Sequence, residues 1–351
     1  MSLSKPLCSR GIHLLLVHAS VLVVLWGAVS SLAQDKTIES PNQNPQQQAK
    51  QEGFNAPIEE LTNGVIDNRR IYNTFVKRGR WLIDADPFYD GKDIRQQLKL
   101  APNRLAINLP DIAAVSSEDF HDRIRKASVM VGALYDCGRC KNLHGNIAGG
   151  VLISQDGLVL TNHHVLKRKE DEKTQGLLVM NHLGQCYGIG KVLAAWESAD
   201  IALIQLQTDD KFEPIRLAAS NPKPLSEVVV MSHPHNEFFV VTTGFVSRLT
   251  KPTMQGDSTT WLEITAEFSG GSSGSGVFNS HGELVGLVSR IHPMFREQEK
   301  SDRSKSTENV PQPPDAPPDA PPDAPTGRMV YPEQILRRCV PIESIRKMLT
   351  P

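Results

Sequence analysis

Three separated segments of this chain carry side chains that together could perform nucleophilic catalysis. Ser273 lies in a run of glycine and serine at 271–276, His164 lies in the segment 161–165, and Asp200 precedes an apolar run. A serine hydroxyl is a weak nucleophile at neutral pH, so it needs an imidazole to take its proton and a carboxylate to hold the correct imidazole tautomer. Because the chain supplies a nucleophile, a base and an orienting acid, the sequence predicts a hydrolase.

The glycines around Ser273 favour a sharp turn that brings backbone amides close to a substrate carbonyl. The amides of Gly271 and Ser273 are the natural donors to a developing oxyanion, and loss of one such donor typically adds about 3 kcal/mol to the barrier. The alternative is a flexible Gly/Ser linker. Apolar runs at 261–264 and 284–288 flank the segment and predict strands, which argues against a linker.

Short strands must position the other two groups. Apolar runs at 151–153 and 158–160, separated by a turn, predict a hairpin that delivers His164 at a strand end. Asp200 stands at the start of the run 201–206, which also predicts a strand. Taken alone, this aspartate could merely begin a strand or cap a turn.

The patterns T-N-x-H-V at 161–165, D-I-A-L-I at 200–204 and G-x-S-G-S at 271–275 together resemble the trypsin-like serine peptidases, most closely the HtrA-like branch. The likeness runs roughly from Ser116 to the C terminus, and no PDZ domain is expected. It implies an all-β fold of two antiparallel six-stranded β-barrels (chymotrypsin-like), with a C-terminal helix and an N-terminal extension. It also implies His164 as general base, Asp200 as its orienter, Ser273 as nucleophile, and the amides of Gly271 and Ser273 as the oxyanion hole.

The same resemblance locates a substrate pocket. Glu267 stands six positions before Ser273, where trypsin-like enzymes read basic side chains, so an inward Glu267 would favour Lys or Arg by charge pairing. A solvated Glu267, or one paired with Arg290, is the alternative. Glutamate specificity is not supported, because the positions that read glutamate in glutamyl endopeptidases hold Phe268 and Val288. The predicted substrate-binding residues are Glu267, Phe268, Val288, Ser289 and Arg290.

The sequence therefore predicts a serine endopeptidase that forms an acyl-enzyme on protein or peptide substrates. No cofactor and no metal ligands are assigned. The alternative is a catalytically inactive binding protein on a peptidase fold, in which an insertion blocks access or the oxyanion loop is collapsed. The formal net charge is −1, so no basic face for nucleic acid is implied.

Composition divides the chain into segments. Residues 1–33 have a basic start, an apolar run and small residues, which predict a cleaved secretory signal peptide and a secreted or periplasmic protein; an uncleaved membrane anchor is the alternative. The predicted segments that follow are a disordered linker at 34–55, an N-terminal extension at 56–112 and a protease domain at 113–351.

Two of these segments leave alternatives open. Within the extension, 70–75 and 81–83 could be strands or short helices, and 93–100 could be a helix. We expect the extension to pack on the outside of the barrels, with a small binding module as the alternative. A Pro-rich insertion at 296–326, with three P-P-D-A units, is predicted to be disordered and to project beside the substrate pocket. There it could gate the cleft or be a tolerated surface loop.

Four cysteines follow the predicted signal peptide, namely Cys137, Cys140, Cys186 and Cys339. An exported chain can keep disulfide bonds, and we predict one between Cys137 and Cys140. The alternatives are a redox pair, or a structural zinc site in which His144 is the third ligand.

Overall fold

The computed structural model describes residues 53–58, 64–85, 91–110, 112, 119–167, 174–251, 259–295 and 332–350. The chain divides into two units, Met1–Gly53 and Phe54–Pro351, and the features below belong to the second. The predicted signal peptide (1–33), most of the predicted linker (34–55) and the predicted insertion (296–326) lie outside the described residues. Over the described ranges, no helix combines the length and the apolar character needed to span a membrane.

Twelve strands within the described residues form two closed antiparallel barrels of six strands each. The first barrel comprises β1 (Ser128–Asp136), β2 (Leu143–Leu152), β3 (Leu158–Thr161), β4 (Thr174–Met180), β5 (Cys186–Trp196) and β6 (Ile201–Leu206). The second comprises β7 (Glu227–Ser232), β8 (Val240–Thr250), β9 (Trp261–Ile264), β10 (Gly276–Phe278), β11 (Leu284–Met294) and β12 (Gln334–Pro341).

The strands close in the orders β1-β2-β3-β6-β5-β4 and β10-β11-β12-β9-β8-β7. The helices of the described residues include α1 (Asn68–Ala85), α2 (Gly91–Leu100), α3 (Phe120–Ala127), the single turn α4 (His163–Leu166) and the C-terminal α5 (Ile342–Leu349). The prediction of two six-stranded antiparallel barrels with a C-terminal helix is confirmed.

Strand β1 is an almost continuous apolar run because both of its faces are buried. Its alternate residues Val129 and Val131 pack in a cluster with side chains from all six strands of the first barrel, so they face the barrel interior. Met130 and Leu134 point the other way, into a larger cluster that extends into the second barrel. Because both faces of β1 are covered, the usual alternation of apolar and polar residues is lost.

The N-terminal extension covers the outer face of the first barrel. Phe75 of α1 is fully buried and its ring lies against Gly132, where a Cβ atom would approach the ring to 2.8 Å. Further along α1, Gly79 leaves space for Leu134 and Leu178. Helix α1 includes both 70–75 and 81–83, so these two segments are helical and do not form strands.

The rest of the extension reaches the inside of the first barrel and the chain's other end. Ile94 of α2 packs in the interior cluster of the first barrel. Beyond α2, the amides of Leu105 and Ile107 donate to the carbonyls of Met348 and Leu349 at 2.7 and 3.1 Å. The extension therefore also pairs with the end of α5.

A buried histidine links the two barrels. His233 follows β7 of the second barrel, is 1% exposed, and accepts a hydrogen bond at Nδ1 from the Phe239 amide at 3.2 Å. Its ring also hydrogen-bonds the backbone of Val129 in β1, and the ring of Phe238 lies 5.8 Å away between centroids. Burial in these surroundings lowers the pKa of His233 to about 4.

We expect acidification to destabilise the fold through His233. With a folded pKa near 4 and an unfolded pKa of about 6.5, the ring binds more protons when the chain is unfolded. The free energy of unfolding is therefore fully retained above about pH 6.5 and falls by about 3 kcal/mol as the pH drops to about 4.

Urea unfolding at neutral pH and at about pH 4.5 measures this loss. His233→Asn keeps an acceptor for the Phe239 amide but does not titrate, so its loss of stability on acidification should be smaller than that of the wild type. The exposed His281→Asn is the control. Equal losses in His233→Asn and the wild type would contradict the assignment.

Candidate active site

The structure brings His164, Asp200 and Ser273 together from three different elements. His164 lies in α4 directly after β3, Asp200 precedes β6, and Ser273 lies in the loop before β10 of the second barrel. The His164 Nδ1 atom is 2.9 Å from both carboxylate oxygens of Asp200, and its Nε2 atom is 2.9 Å from the Ser273 Oγ atom. The three side chains selected from the sequence therefore form one continuous hydrogen-bonded chain.

The Asp200 carboxylate is buried, with 4% of its side chain exposed. Burial alone would raise its pKa, but hydrogen bonds from the His164 ring, from the Ser289 hydroxyl at 2.5 Å and from the His164 amide at 3.1 Å outweigh that effect. The pKa of Asp200 therefore lies below its ordinary value. The group is ionised at neutral pH and stabilises positive charge on the imidazole.

The backbone of Asp200 adopts a left-handed conformation with φ of 58°. Aspartate tolerates this region better than most residues. The Asp200 amide donates to the Glu197 carbonyl at 3.0 Å, and the buried Asn162 side chain donates to the Asp200 carbonyl at 2.9 Å. These bonds hold the turn that presents the carboxylate to His164.

Both barrels hold the loop that carries Ser273. The Gly149 amide of β2 donates to the Ser273 carbonyl at 2.7 Å, and the Gly274 amide donates to the Val288 carbonyl of β11 at 2.8 Å. Gly274 has a φ of 78°, and a Cβ atom there would lie 2.2 Å from the Gly149 carbonyl oxygen. Only glycine fits at this crossing of the two barrels.

The predicted oxyanion donors differ from their neighbours in the same loop. The amides of Ser272, Gly274 and Ser275 are engaged in backbone hydrogen bonds, whereas none is found among the described residues for those of Gly271 and Ser273. Gly271 has a φ of 94°, which favours glycine. Two backbone donors beside the Ser273 hydroxyl therefore have no backbone partner among the described residues.

Three of the predicted substrate-binding residues differ in exposure, since Glu267 is exposed and Phe268 and Val288 are buried. The Glu267 side chain is 79% exposed and pairs with Arg337 at 3.0 Å, so the structure pairs it with a partner other than Arg290. Phe268 and Val288 are buried, at 8% and 1% exposure. The Val288 side chain is buried, and its backbone carbonyl accepts from the Gly274 amide and so helps to hold the loop that carries Ser273.

The other two predicted pocket residues contact Asp200. Ser289 is buried, its hydroxyl donates to Asp200, and its carbonyl accepts from the Ser273 hydroxyl at 3.2 Å. The Arg290 guanidinium lies 4.6 Å from the Trp261 ring centroid and 3.9 Å from an Asp200 oxygen. The contact between Ser289 and Asp200 spans 89 positions of sequence and left no local signal.

The four cysteines within the described residues are free thiols in the structure. The Sγ atoms of Cys137 and Cys140 lie 3.5 Å apart, so the predicted disulfide is not confirmed. The backbone amide of Arg139 is the main cause that lowers the pKa of Cys137 to about 7. Burial raises the pKa of Cys186 to about 12.

Part of the chain is similar in sequence to known proteins. Residues 148–287, a range that includes all three hydrogen-bonded side chains, match a family model described as a trypsin-like peptidase domain. Over 144 residues, 41% of this chain and 29% of the relative, the sequence is 28% identical to a probable periplasmic serine endoprotease DegP-like of Hahella chejuensis.

Two further relatives match over a similar region. Identity is 30% over 143 residues to serine protease HTRA1 of Xenopus laevis, covering 39% of this chain and 30% of the relative. It is 27% over 148 residues to the periplasmic pH-dependent serine endoprotease DegQ of Escherichia coli, covering 41% and 31%. The chain therefore spans about a third of the length of these curated relatives. Its segment 148–287 thus matches a family model for trypsin-like peptidase domains and is similar in sequence to the serine proteases named DegP-like, HTRA1 and DegQ.

Proposed function

We propose that this protein is a serine endopeptidase that cleaves protein or peptide substrates. The observation that carries the proposal is the hydrogen-bonded chain from Asp200 through His164 to Ser273. It ends beside two backbone amides, those of Gly271 and Ser273, that have no partner among the described residues. A nucleophile, a base, an orienting acid and an oxyanion hole are the parts that acyl transfer requires.

In the proposed mechanism the Ser273 Oγ atom attacks the peptide carbonyl while His164 Nε2 takes its proton. The ionised Asp200 stabilises the resulting imidazolium. The carbonyl oxygen gains negative charge in the tetrahedral intermediate and accepts hydrogen bonds from the Gly271 and Ser273 amides. His164 then gives its proton to the leaving amine, and water hydrolyses the acyl-enzyme by the reverse route.

Access to the nucleophile favours this proposal over an inactive binding protein. The His164 side chain is 47% exposed, whereas its Asp200 partner is 4% exposed. The imidazole therefore faces solvent where a substrate would enter, and the charge that orients it stays shielded. One form of the inactive alternative is a collapsed oxyanion loop, and the left-handed Gly271 and the unengaged amides of Gly271 and Ser273 argue against it. The other form, an insertion that blocks access, concerns residues outside the described ranges.

We further propose that the protein acts after export. The support is the signal-like segment at 1–33, together with the relatives whose names describe them as periplasmic.

Ser273→Ala tests the nucleophile. Fluorophosphonate labelling and casein cleavage should both fall to background, because among the described residues the His164 ring bonds no hydroxyl other than that of Ser273. Ser280→Ala, in the exposed turn before β11, is the matched control and should keep both activities. Casein cleavage that survives in Ser273→Ala would refute the assignment.

Gly149→Ala tests the contact between the barrels. Its Cβ atom would lie 2.1 Å from the Ser275 Oγ atom and 2.8 Å from the Ser275 backbone, so the nucleophile loop must shift. A displacement of about 1 Å can cost about 100-fold in rate, and we expect the labelling rate to fall by about that factor.

Gly188→Ala in β5 is the matched control for Gly149→Ala, because its Cβ atom would meet only the Gln207 side chain, at 3.7 Å. It should label at the wild-type rate. Equal labelling of both variants would show that the barrel contact does not position Ser273.

Glu267→Gln tests the specificity expected from the sequence. Because the Glu267 carboxylate is exposed and already paired with Arg337, we expect its neutral isostere to leave the cleavage preference unchanged in a peptide library. A preference for Lys or Arg in the wild type that disappears in Glu267→Gln would instead show that Glu267 turns into the pocket when substrate binds.

A further inference from the structure

The turn between β1 and β2 brings together two thiols and an imidazole that the proposed peptidase mechanism does not use. The Cys140 Sγ atom lies 3.5 Å from the Cys137 Sγ atom and 3.1 Å from the His144 Nε2 atom. All three atoms lie within 4.8 Å of one another. A surface turn folds without such a cluster, so the three side chains indicate a chemical role separate from the turn itself.

We propose that Cys137, Cys140 and His144 bind a zinc ion, with the fourth coordination position filled by water. Thiolate sulfur and imidazole nitrogen are the ligands that zinc prefers, and two cysteines separated by two residues are a common spacing in zinc sites. The proposal does not depend on peptidase activity.

Two of the three separations between ligand atoms are close to those of a tetrahedral site, and the third, between Cys137 and His144, is no more than 4.8 Å. Bonds of about 2.3 Å to sulfur and about 2.0 Å to nitrogen place two sulfurs about 3.8 Å apart, and sulfur and nitrogen about 3.5 Å apart. The observed separations of 3.5 and 3.1 Å are shorter by only a few tenths of an ångström. An increase of a few tenths of an ångström in these two separations would therefore make room for the ion.

The backbone of the turn supports thiolate ligands. Gly138 adopts a φ of 69°, and its amide donates to the Asp136 side chain at 2.7 Å. The next amide, that of Arg139, points at the Cys137 Sγ atom at 3.5 Å. Amide donation to sulfur stabilises the deprotonated form, which is the form that binds metal.

The third ligand comes from a strand and not from the turn. His144 lies in β2 directly opposite Tyr135 of β1, and their rings are 5.7 Å apart between centroids. A bound ion would therefore tie the turn to the barrel. A disulfide between the two cysteines would leave His144 without a role, and this favours the metal over the bond predicted from the sequence.

Zinc binding to the full-length chain tests the proposal. The reduced, metal-free protein should take up one zinc ion in competition with a chromogenic chelator. Co²⁺ in its place should give the thiolate charge-transfer band and the intense visible bands of a tetrahedral site. Cys137→Ser and His144→Ala should each weaken zinc binding by about 100-fold or more. His281→Ala, which removes an exposed histidine elsewhere, should bind as the wild type does.

Thermal unfolding of each metal-free variant checks that binding is not lost through misfolding, since all should melt close to the metal-free wild type. Three results would overturn the proposal. The reduced wild type takes up no zinc; His144→Ala binds zinc as tightly as the wild type; or alkylation and mass spectrometry recover a bond between Cys137 and Cys140 from zinc-treated protein.

Discussion

The proposed chemistry depends on one backbone hydrogen bond between the barrels, from the Gly149 amide to the Ser273 carbonyl. The first barrel carries His164 and Asp200, and the second carries Ser273, so neither barrel holds a complete catalyst. At their contact, Gly149 and Gly274 leave no room for a Cβ atom, which lets two backbones approach where side chains would keep them apart. This close approach sets the distance between the Ser273 hydroxyl and the imidazole.

The buried charge of Asp200 imposes the second requirement. A carboxylate removed from water is costly unless hydrogen bonds replace its hydration. Here the ring and amide of His164 come from the first barrel, and the Ser289 hydroxyl comes from the second. The same contacts that stabilise the charge also align the imidazole, so the stability of the barrel interface and the geometry of the site rest on the same groups.

Segments outside the peptidase motifs reinforce this arrangement. Helix α1 covers the outer face of the first barrel through Phe75, and the backbone amides of Leu105 and Ile107 donate to the end of α5. The turn that carries Cys137 and Cys140 lies directly before β2, and Gly149 lies further along that strand. A metal ion bound at that turn would make β2 more rigid, and β2 supports the loop that carries Ser273.

The sequence by itself determined the fold class and the three side chains of the proposed catalytic chain. Three motifs in order carried this, because T-N-x-H-V, D-I-A-L-I and G-x-S-G-S together resemble the trypsin-like serine peptidases, and the resemblance implies the two barrels. The sequence left 70–75 and 81–83 open between strand and helix, since the burial of Phe75 against Gly132 decides for helix and that contact is remote in sequence. Only the tertiary structure assigned Ser289 to Asp200 and paired Glu267 with Arg337. The first contact joins the two barrels and the second joins segments 70 positions apart, so each depends on tertiary packing and not on any single segment.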